Sequence, residues 1–558
     1  MTHATELSRW LNSSALSDSE RDELLAIENN ADEVQSRFFA PLPFGTAGLR
    51  GVCGVGLNRM NRHIVRWTTQ AFSEILVEDG GGTVAICFDP RHDSREFARC
   101  AAEVFAANGL RVRIFDDIRP TPELSFAVRH YKCAAGVNIT ASHNTQEYNG
   151  YKLYGADGAQ LPTSVSARVA ERMAQIDIFD SVKRVDYDEA FADGLITVLG
   201  DEVDSAFLDF ALSEVTDRNA IPAVADELRV VYTPFHGAGR KLVPEALHRL
   251  GLKHLHCVEA QMVADPSFGT VASPNPENPE SFALATELAR KVNAHIIIGT
   301  DPDSDRIAVL VRDAANTSGY RHITGHKTGA LLLDYLLTAR KAAWRLPAKP
   351  TALKTFVTTD LTRRVAEYHG AQCFDTFTGF KYMAELKAEL ESSGRGNVIF
   401  SYEESYGYMI GDGVRDKDAV TAASIIVEVT AHYLARGMTL IDALDAIYAR
   451  VGYYDEAAVN LVMPGVDGLL AMQELMARLR NAPPQTIRGI AVESIHDYLP
   501  EGSNVLRFNM ADSTAVLVRP SGTEPKIKAY ILALGNDAAN AAEKAEMYAS
   551  WARNHFSD

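Results

Sequence analysis

Along this chain an apolar, strand-like run repeatedly stops at a polar loop, and each loop carries side chains capable of chemistry. Residues 134–139 run into Thr140-Ala141-Ser142-His143-Asn144, and residues 228–232 into Thr233-Pro234-Phe235-His236-Gly237-Ala238-Gly239. Residues 295–298 run into Gly299-Thr300-Asp301, and residues 397–401 into Tyr402-Glu403-Glu404-Ser405-Tyr406-Gly407. Residues 514–518 run into Arg519-Pro520-Ser521-Gly522-Thr523-Glu524-Pro525-Lys526. Short apolar runs bounded by turn-forming residues read as buried strands.

Helical patterns separate the strands. Strands 83–88 and 112–115 flank a helix from Ser94 on which Phe97, Cys100, Ala101, Val104 and Phe105 recur at helical spacing, and a strand at 354–358 precedes a helix from Thr362. This βαβ alternation predicts an α/β protein with parallel or mixed sheets. From about residue 453 the pattern changes to a helix at 468–479, short strands and a C-terminal helix with an alanine-rich face, which predicts a smaller α+β domain. Residues 1–40 read as a polar helical lead-in with a capped start at Ser19. The expected domains are 41–205, 206–318, 319–453 and 454–558.

Composition narrows the function. The 558 residues are 46% apolar and 23% charged, ordinary for a globular protein of several domains. The longest apolar runs, at 295–299 and 422–427, fall far short of the roughly 20 residues that span a bilayer. The N-terminus lacks the pattern of a secretory signal. Six cysteines lie scattered without a C-x-x-C pair, which argues against disulfides and zinc and for a reducing cytoplasm. A net charge of −18 argues against nucleic acid or a membrane surface as partner. It leaves room for a small anionic substrate, which needs only a local cluster of donors.

The loops supply such clusters. Ser142, at the C-terminal edge of a strand and displayed on a loop, is flanked by His143 and followed by Lys152, the parts of an activated nucleophile, although a loop serine ordinarily serves only a turn. Phe44-Gly45-Thr46-Ala47-Gly48-Leu49-Arg50-Gly51 offers backbone amides and the Arg50 guanidinium to an anion. Asp301, Asp303 and Asp305 alternate, so in an extended segment their carboxylates converge and suit a hard divalent cation, with a solvated acidic loop as the other reading. A calcium loop fails on detail, because Arg306 and Arg312 stand where glycine and glutamate are needed. Arg519, Ser521, Gly522, Thr523 and Lys526 have the composition of a phosphate cradle that is not a P-loop; a plain turn between two strands explains the glycine and prolines but does not need Arg519 and Lys526. Glu403-Glu404-Ser405 would offer paired acceptors for sugar hydroxyls, although acidic pairs are commonly mere surface, and Thr378-Gly379-Phe380-Lys381 is a similar polar turn with a cation.

Together and in this order, these motifs resemble the α-D-phosphohexomutase family, from about Phe44 into the C-terminal domain. The lead-in resembles the family's longer branch, which includes phosphopentomutases and glucose 1,6-bisphosphate synthases. The resemblance implies four domains around a central cleft, with one loop from each. It implies that Ser142 is the phosphoserine and that Asp301, Asp303 and Asp305 hold Mg²⁺ together with a phosphoryl oxygen on Ser142. His143, Lys152, Arg50 and Arg306 join the chemistry. Thr378, Gly379, Lys381, Glu403 and Ser405 take the sugar, and Arg519, Ser521, Gly522, Thr523 and Lys526 take the distal phosphate. The implied reaction interconverts glucose 1-phosphate and glucose 6-phosphate through a sugar 1,6-bisphosphate, which also serves as activator. Phosphomannomutase, phosphopentomutase, a metal-dependent sugar phosphatase and a non-catalytic phosphosugar-binding protein are the alternatives. Tyr406-Gly407 stands where mannose-type members carry glycine and histidine, so the loop looks more like the glucose type. A phosphosugar is the expected partner, and oligomeric state is left open.

Overall fold

A computed structural model describes residues 2–45, 48–463, 465–520 and 526–556. The chain divides into two compact units, 1–323 with 406–437, and 324–405 with 438–558.

In the first unit the strands are β1 (Gly48–Val52), β2 (Thr83–Phe88), β3 (Arg111–Phe115), β4 (Ala135–Ile139), β5 (Tyr148–Gly155) and β6 (Ile196–Leu199). They form one mixed sheet in the order β1-β5-β4-β2-β3-β6. β4, β2, β3 and β6 are parallel neighbours, whereas β5 and β1 run antiparallel at the edge. The helix Ser94–Ala107 buries the predicted Phe97, Cys100, Ala101, Val104 and Phe105. Because β2 and β4 pair in parallel up to Phe88 opposite Ile139, the segments after them leave the sheet side by side.

The lead-in helices His3–Leu11, Asp18–Ile27 and Ala31–Phe38 are continuous with this core. Trp10 is fully buried, edge-on to Phe38, His63 and Phe179. The cap differs from the expectation. Ser17, not Ser19, caps the second helix and forms a reciprocal box with Glu20, since only a residue three before the glutamate has that reach.

A second mixed sheet of the first unit contains β7 (Arg229–Thr233), β8 (His254–Cys257), β9 (Ile296–Thr300), β10 (Ile307–Arg312) and β11 (Tyr320–Ile323), in the order β11-β10-β9-β7-β8. β7 and β9 are parallel, with Thr233 opposite Gly299, so the loops after both emerge at one edge. The apolar helix Ala419–Leu434 packs on Gly239–Arg249.

The second unit holds β12 (Pro350–Thr355), β13 (Gln372–Thr376) and β14 (Asn397–Glu403), with β12 parallel to both others. The strand predicted at 354–358 ends at Thr355, because the next residues turn and Thr358 N–H bonds Thr355 O. Six antiparallel strands follow in the C-terminal region, in the order Tyr453–Val462, Lys526–Gly535, Ala515–Pro520, Leu506–Met510, Ile490–Asp497 and Thr486–Ile487. The helix Ala538–His555 closes their core with Tyr548, Trp551 and three alanines. The α/β and α+β expectations therefore hold, and no described helix is long and apolar enough to cross a membrane.

Candidate active site

The loop after β4 sets Ser142 in a left-handed backbone conformation, φ 54°. A non-glycine residue there costs about 1–2 kcal/mol, so surrounding bonds must hold it. Ser142 N–H donates to Thr140 Oγ1 at 2.8 Å, and Thr140 Oγ1 donates to Asp89 Oδ2 at 2.7 Å. Asp89 leaves β2 beside this loop. The serine expected on display is in fact buried, 3% exposed. Arg50 of β1 donates to Asn144 Oδ1 at 3.1 Å.

The segment after β9 carries the aspartates. Ser304 adopts φ 51° and its N–H bonds Asp301 O at 2.9 Å, so the carboxylates converge across a turn and not along an extended strand. Asp301, Asp303 and Asp305 are buried, and each offers an oxygen within 4.8 Å of the others. Asp301 Oδ1 accepts the N–H groups of Asp305 and Arg306 at 3.1 and 3.0 Å. Its Oδ2 accepts Ser142 Oγ at 3.0 Å. Asp303 Oδ2 accepts Lys152 Nζ at 2.8 Å and Thr121 Oγ1 at 2.9 Å. Lys417 Nζ lies 3.0 Å from Asp305 Oδ2, and Lys152 Nζ 3.7 Å.

The three carboxylates differ in their electrostatics. Burial, then the charges of Asp303 and Asp305, push the Asp301 carboxyl far above the ordinary carboxylate range. Burial acts upward on Asp303 as well, but Lys152 outweighs it and holds that carboxyl below the usual range. Asp303 Oδ1 and Asp305 Oδ1 are buried and accept no hydrogen bond among the described residues. Oxygen atoms left this way, on three carboxylates around one point, fit a hard divalent cation.

His143 Nδ1 lies 3.2 Å from Ser142 Oγ. Burial, then the charges of Arg306 and Arg50, hold its imidazole well below the usual histidine range, so it is neutral at neutral pH. Arg306 donates to Glu277 Oε1 at 2.8 Å.

The loop after β7 supports the aspartate turn. Ala238 N–H donates to Pro302 O at 2.8 Å. A Cβ on Gly237 would meet Pro302 Cα at 2.5 Å, which is why only glycine fits there.

Sequence reasoning missed Asp89, Arg91, Thr121, Asp416 and Lys417. Arg91, buried beside Asp89, bonds several carbonyls of the Ser142 loop. Thr121 starts the helix Thr121–His130 and also donates its N–H to Asp303 O at 2.8 Å. Asp416 accepts Tyr154 OH at 2.9 Å and Gln160 Nε2 at 2.8 Å, and it pairs with Lys417 at 3.3 Å. The charged triplet Asp416-Lys417-Asp418, directly before an apolar helix, was the available signal for the last pair.

The second unit brings Gly379 and Glu403 together, with Gly379 N–H donating to Glu403 Oε1 at 2.6 Å. Gly379 stands at φ 119°, a conformation that releases its N–H from the following helix Phe380–Ser392. Lys381 is buried, which pushes its ammonium pKa down, and it lies 5.0 Å from the centre of the Tyr382 ring. Glu404 is committed elsewhere, accepting Thr355 and Thr358 Oγ1, each at 3.0 Å. Thr378 and Ser405 flank these groups in sequence and are half-buried. Arg519 and Lys526 lie at facing ends of two antiparallel strands, with Pro520 opposite Ile527. Ser521, Gly522 and Thr523, like Thr46 and Ala47, lie outside the described residues.

Comparison with known proteins bears on these geometries. Residues 41–178, 207–315 and 324–451 match the family description "Phosphoglucomutase/phosphomannomutase, alpha/beta/alpha" as domains I, II and III. The chain is 36% identical over 527 residues to a phosphoglucomutase of Staphylococcus aureus strain bovine RF122 / ET3-1, covering 89% of this chain and 91% of the relative. It is 35% identical over 540 residues to the phosphoglucomutase of strain N315, covering 92% and 93%. A phosphoglucomutase/phosphomannomutase family protein from Burkholderia thailandensis shares the fold at TM-score 0.66 and 18% identity, over 92% of this chain and 97% of that one. So does the open form of parafusin, a phosphoglucomutase from Paramecium, at TM-score 0.69 and 18% identity, over 92% and 96%.

Proposed function

Because the chain belongs to the phosphoglucomutase/phosphomannomutase family, and is a phosphohexomutase, we propose that it interconverts glucose 1-phosphate and glucose 6-phosphate through phospho-Ser142. The observation that carries this reading is Ser142 Oγ, 3.0 Å from Asp301 Oδ2 in a nest of converging carboxylates. The glucose preference is supported by the curated relatives and by Tyr406-Gly407 after Ser405.

In the first half-reaction the bond from phosphorus to Ser142 Oγ breaks as phosphorus bonds to the free sugar hydroxyl, whose proton passes to a base. The sugar 1,6-bisphosphate so formed turns end for end. The second half-reaction returns a phosphoryl group to Ser142 Oγ and a proton to the sugar oxygen it leaves. Phosphoryl transfer of this kind depends on in-line placement and charge neutralisation. Lys152, Arg50 and Arg306 supply fixed positive charge, and neutral His143, with Nδ1 3.2 Å from Ser142 Oγ, is placed to orient that oxygen by a hydrogen bond. Mg²⁺ held by Asp301, Asp303, Asp305 and a phosphoryl oxygen on Ser142 would add Lewis-acid neutralisation of the transferring group. Glu403, Ser405, Thr378, Gly379 and Lys381 are assigned to the sugar, and Arg519, Ser521, Gly522, Thr523 and Lys526 to its distal phosphate. The expectation of a cytoplasmic enzyme is supported by six cysteines that are all free.

The test is a side-by-side kcat/KM for glucose, mannose and ribose 1-phosphates, with catalytic sugar bisphosphate supplied. Glucose 1-phosphate is expected to lead. A higher value for mannose or ribose 1-phosphate reassigns the sugar, and release of inorganic phosphate without isomerisation makes the protein a phosphatase.

A further inference from the structure

Arg91 belongs to none of the loop motifs, yet its guanidinium donates five hydrogen bonds beside Ser142. Its guanidinium is buried, anchored by Nε to Asp89 Oδ2 at 3.0 Å. Nη2 donates to Ser142 O at 2.6 Å and Asn144 O at 2.5 Å. Nη1 donates to Thr145 O at 2.7 Å and Tyr148 O at 3.0 Å. One planar fork therefore gathers four carbonyls of the segment bearing the nucleophile, which a lysine cannot do. Phe268, from the segment between β8 and β9, covers the fork with its ring centre 5.1 Å from the guanidinium carbon. Phe268 is itself buried and left-handed, φ 50°, so the chain holds it there against its own backbone preference.

We infer that Arg91, clamped between Asp89 and the ring of Phe268, is the positioning residue that holds Ser142 in its left-handed conformation and aims its Oγ at the aspartate turn. The ring comes from the same α/β layer as Asp301, Asp303 and Asp305. Arg91 thus ties the nucleophile's backbone to the layer carrying the carboxylates, while its own side-chain hydrogen bonds go to Asp89 and the Ser142 segment. Its loss shifts the reacting oxygen and leaves the sugar contacts in place. The effect falls on kcat, where a displacement of about 1 Å costs on the order of 10²-fold.

The inference rests on the phosphoserine reading, and the experiment separates the two. Wild type, Arg91→Ala, Arg91→Lys, Phe268→Leu and Phe268→Tyr are each incubated with glucose 1,6-bisphosphate, and the phosphoryl group on Ser142 is followed by intact mass alongside kcat, KM and thermal melting. Arg91→Ala and Arg91→Lys are expected to lose about 10²-fold in kcat and in the rate of Ser142 phosphorylation, with KM changed less than about threefold. Phe268→Leu falls between them and wild type, and Phe268→Tyr, which keeps the ring, matches wild type. Free guanidinium is expected to restore at least tenfold to Arg91→Ala, entering through the cleft of about 490 Å³ walled by Thr145 and Phe268. If Arg91→Ala does not fold, Arg91→Lys and Phe268→Leu decide. Wild-type kcat in the folded variants overturns the inference, as does a loss that tracks the unfolded fraction without guanidinium rescue. A wild type that carries no phosphoryl group on Ser142 either before or after the incubation overturns the phosphoserine reading, and this inference with it.

Discussion

Ser142 Oγ and Asp301 Oδ2 lie 3.0 Å apart although 159 positions separate the residues in sequence. Each sits just past the end of a strand, Ser142 after β4 and Asp301 after β9, and the two strands belong to different sheets. The contact places a hydroxyl at the rim of an acidic nest, so that a phosphoryl group on it would lie beside any cation the carboxylates held.

Ser142→Ala removes the hydroxyl and keeps the loop's backbone bonds. Isomerisation is expected to fall by on the order of 10⁶-fold, the scale of losing a covalent nucleophile. Intact mass of the variant after incubation with glucose 1,6-bisphosphate checks it, and a variant that still gains a phosphoryl group would place the nucleophile elsewhere.

On the proposed assignment, Mg²⁺ would bind the folded state through Asp301, Asp303 and Asp305, which the unfolded chain does not assemble. At a hundred times its Kd it is expected to stabilise the protein by about 2.7 kcal/mol, seen as a raised Tm that EDTA reverses. Asp303→Asn also leaves Lys152 buried with a weakened partner, so it is expected to lose both the Mg²⁺ response and about 3 kcal/mol of stability without metal.

Glu403 and Glu404 are adjacent yet have different work. Glu404→Ala leaves the Thr355 and Thr358 hydroxyls without their carboxylate, a cost of about 1–3 kcal/mol read as a lower Tm. Glu403→Ala is expected to cost about 10- to 100-fold in kcat/KM with a smaller change in Tm. Equal effects of both on kinetics and melting would erase the distinction.

Glu20 fastens the lead-in helices through Ser17, Arg62 and His63, the last at 3.1 Å. Burial alone would raise its pKa, but the bonds to His63 and to Ser17 N–H lower it from 4.5 to about 2. A depressed folded-state pKa gives stability that is present above 4.5 and lost as pH falls towards 2, worth up to about 3 kcal/mol. Acid is therefore expected to loosen the lead-in over that window, read from Trp10 fluorescence, and Glu20→Gln should flatten the transition.

Gly237→Ala pushes a Cβ to 2.5 Å from Pro302 Cα and 2.7 Å from Pro302 O. Backbone cannot swing aside as a side-chain tip does, so the aspartate turn must shift. A loss of about 1–3 kcal/mol is expected, with weaker Mg²⁺ binding by calorimetry, and unchanged affinity would show that the turn does not lean on this loop.

Much of the site was legible because its residue types are chemically specific. Alternate aspartates directly after an apolar strand point to a cation, and their carboxylates do converge. The turn that brings the aspartates together was not legible, since alternation suggests an extended segment and only Ser304's positive φ reveals the bend. Arg91 and Thr121 were invisible for another reason. A single arginine or threonine after a strand is ordinary, and its importance lies wholly in which carbonyls and carboxylates it reaches.

The sequence by itself determined the alternating α/β plan, the order of the loops and the chemistry each can offer, because apolar periodicity and side-chain type are local properties. Only the tertiary structure decided that Ser142 is buried and left-handed, that Lys152 and Lys417 divide the charge of Asp303 and Asp305, and that Glu404 is bound to threonines while Glu403 meets Gly379. Those outcomes depend on strand order and register, which join residues from 24 to 151 positions apart, and on burial, which sets the strength of each charge.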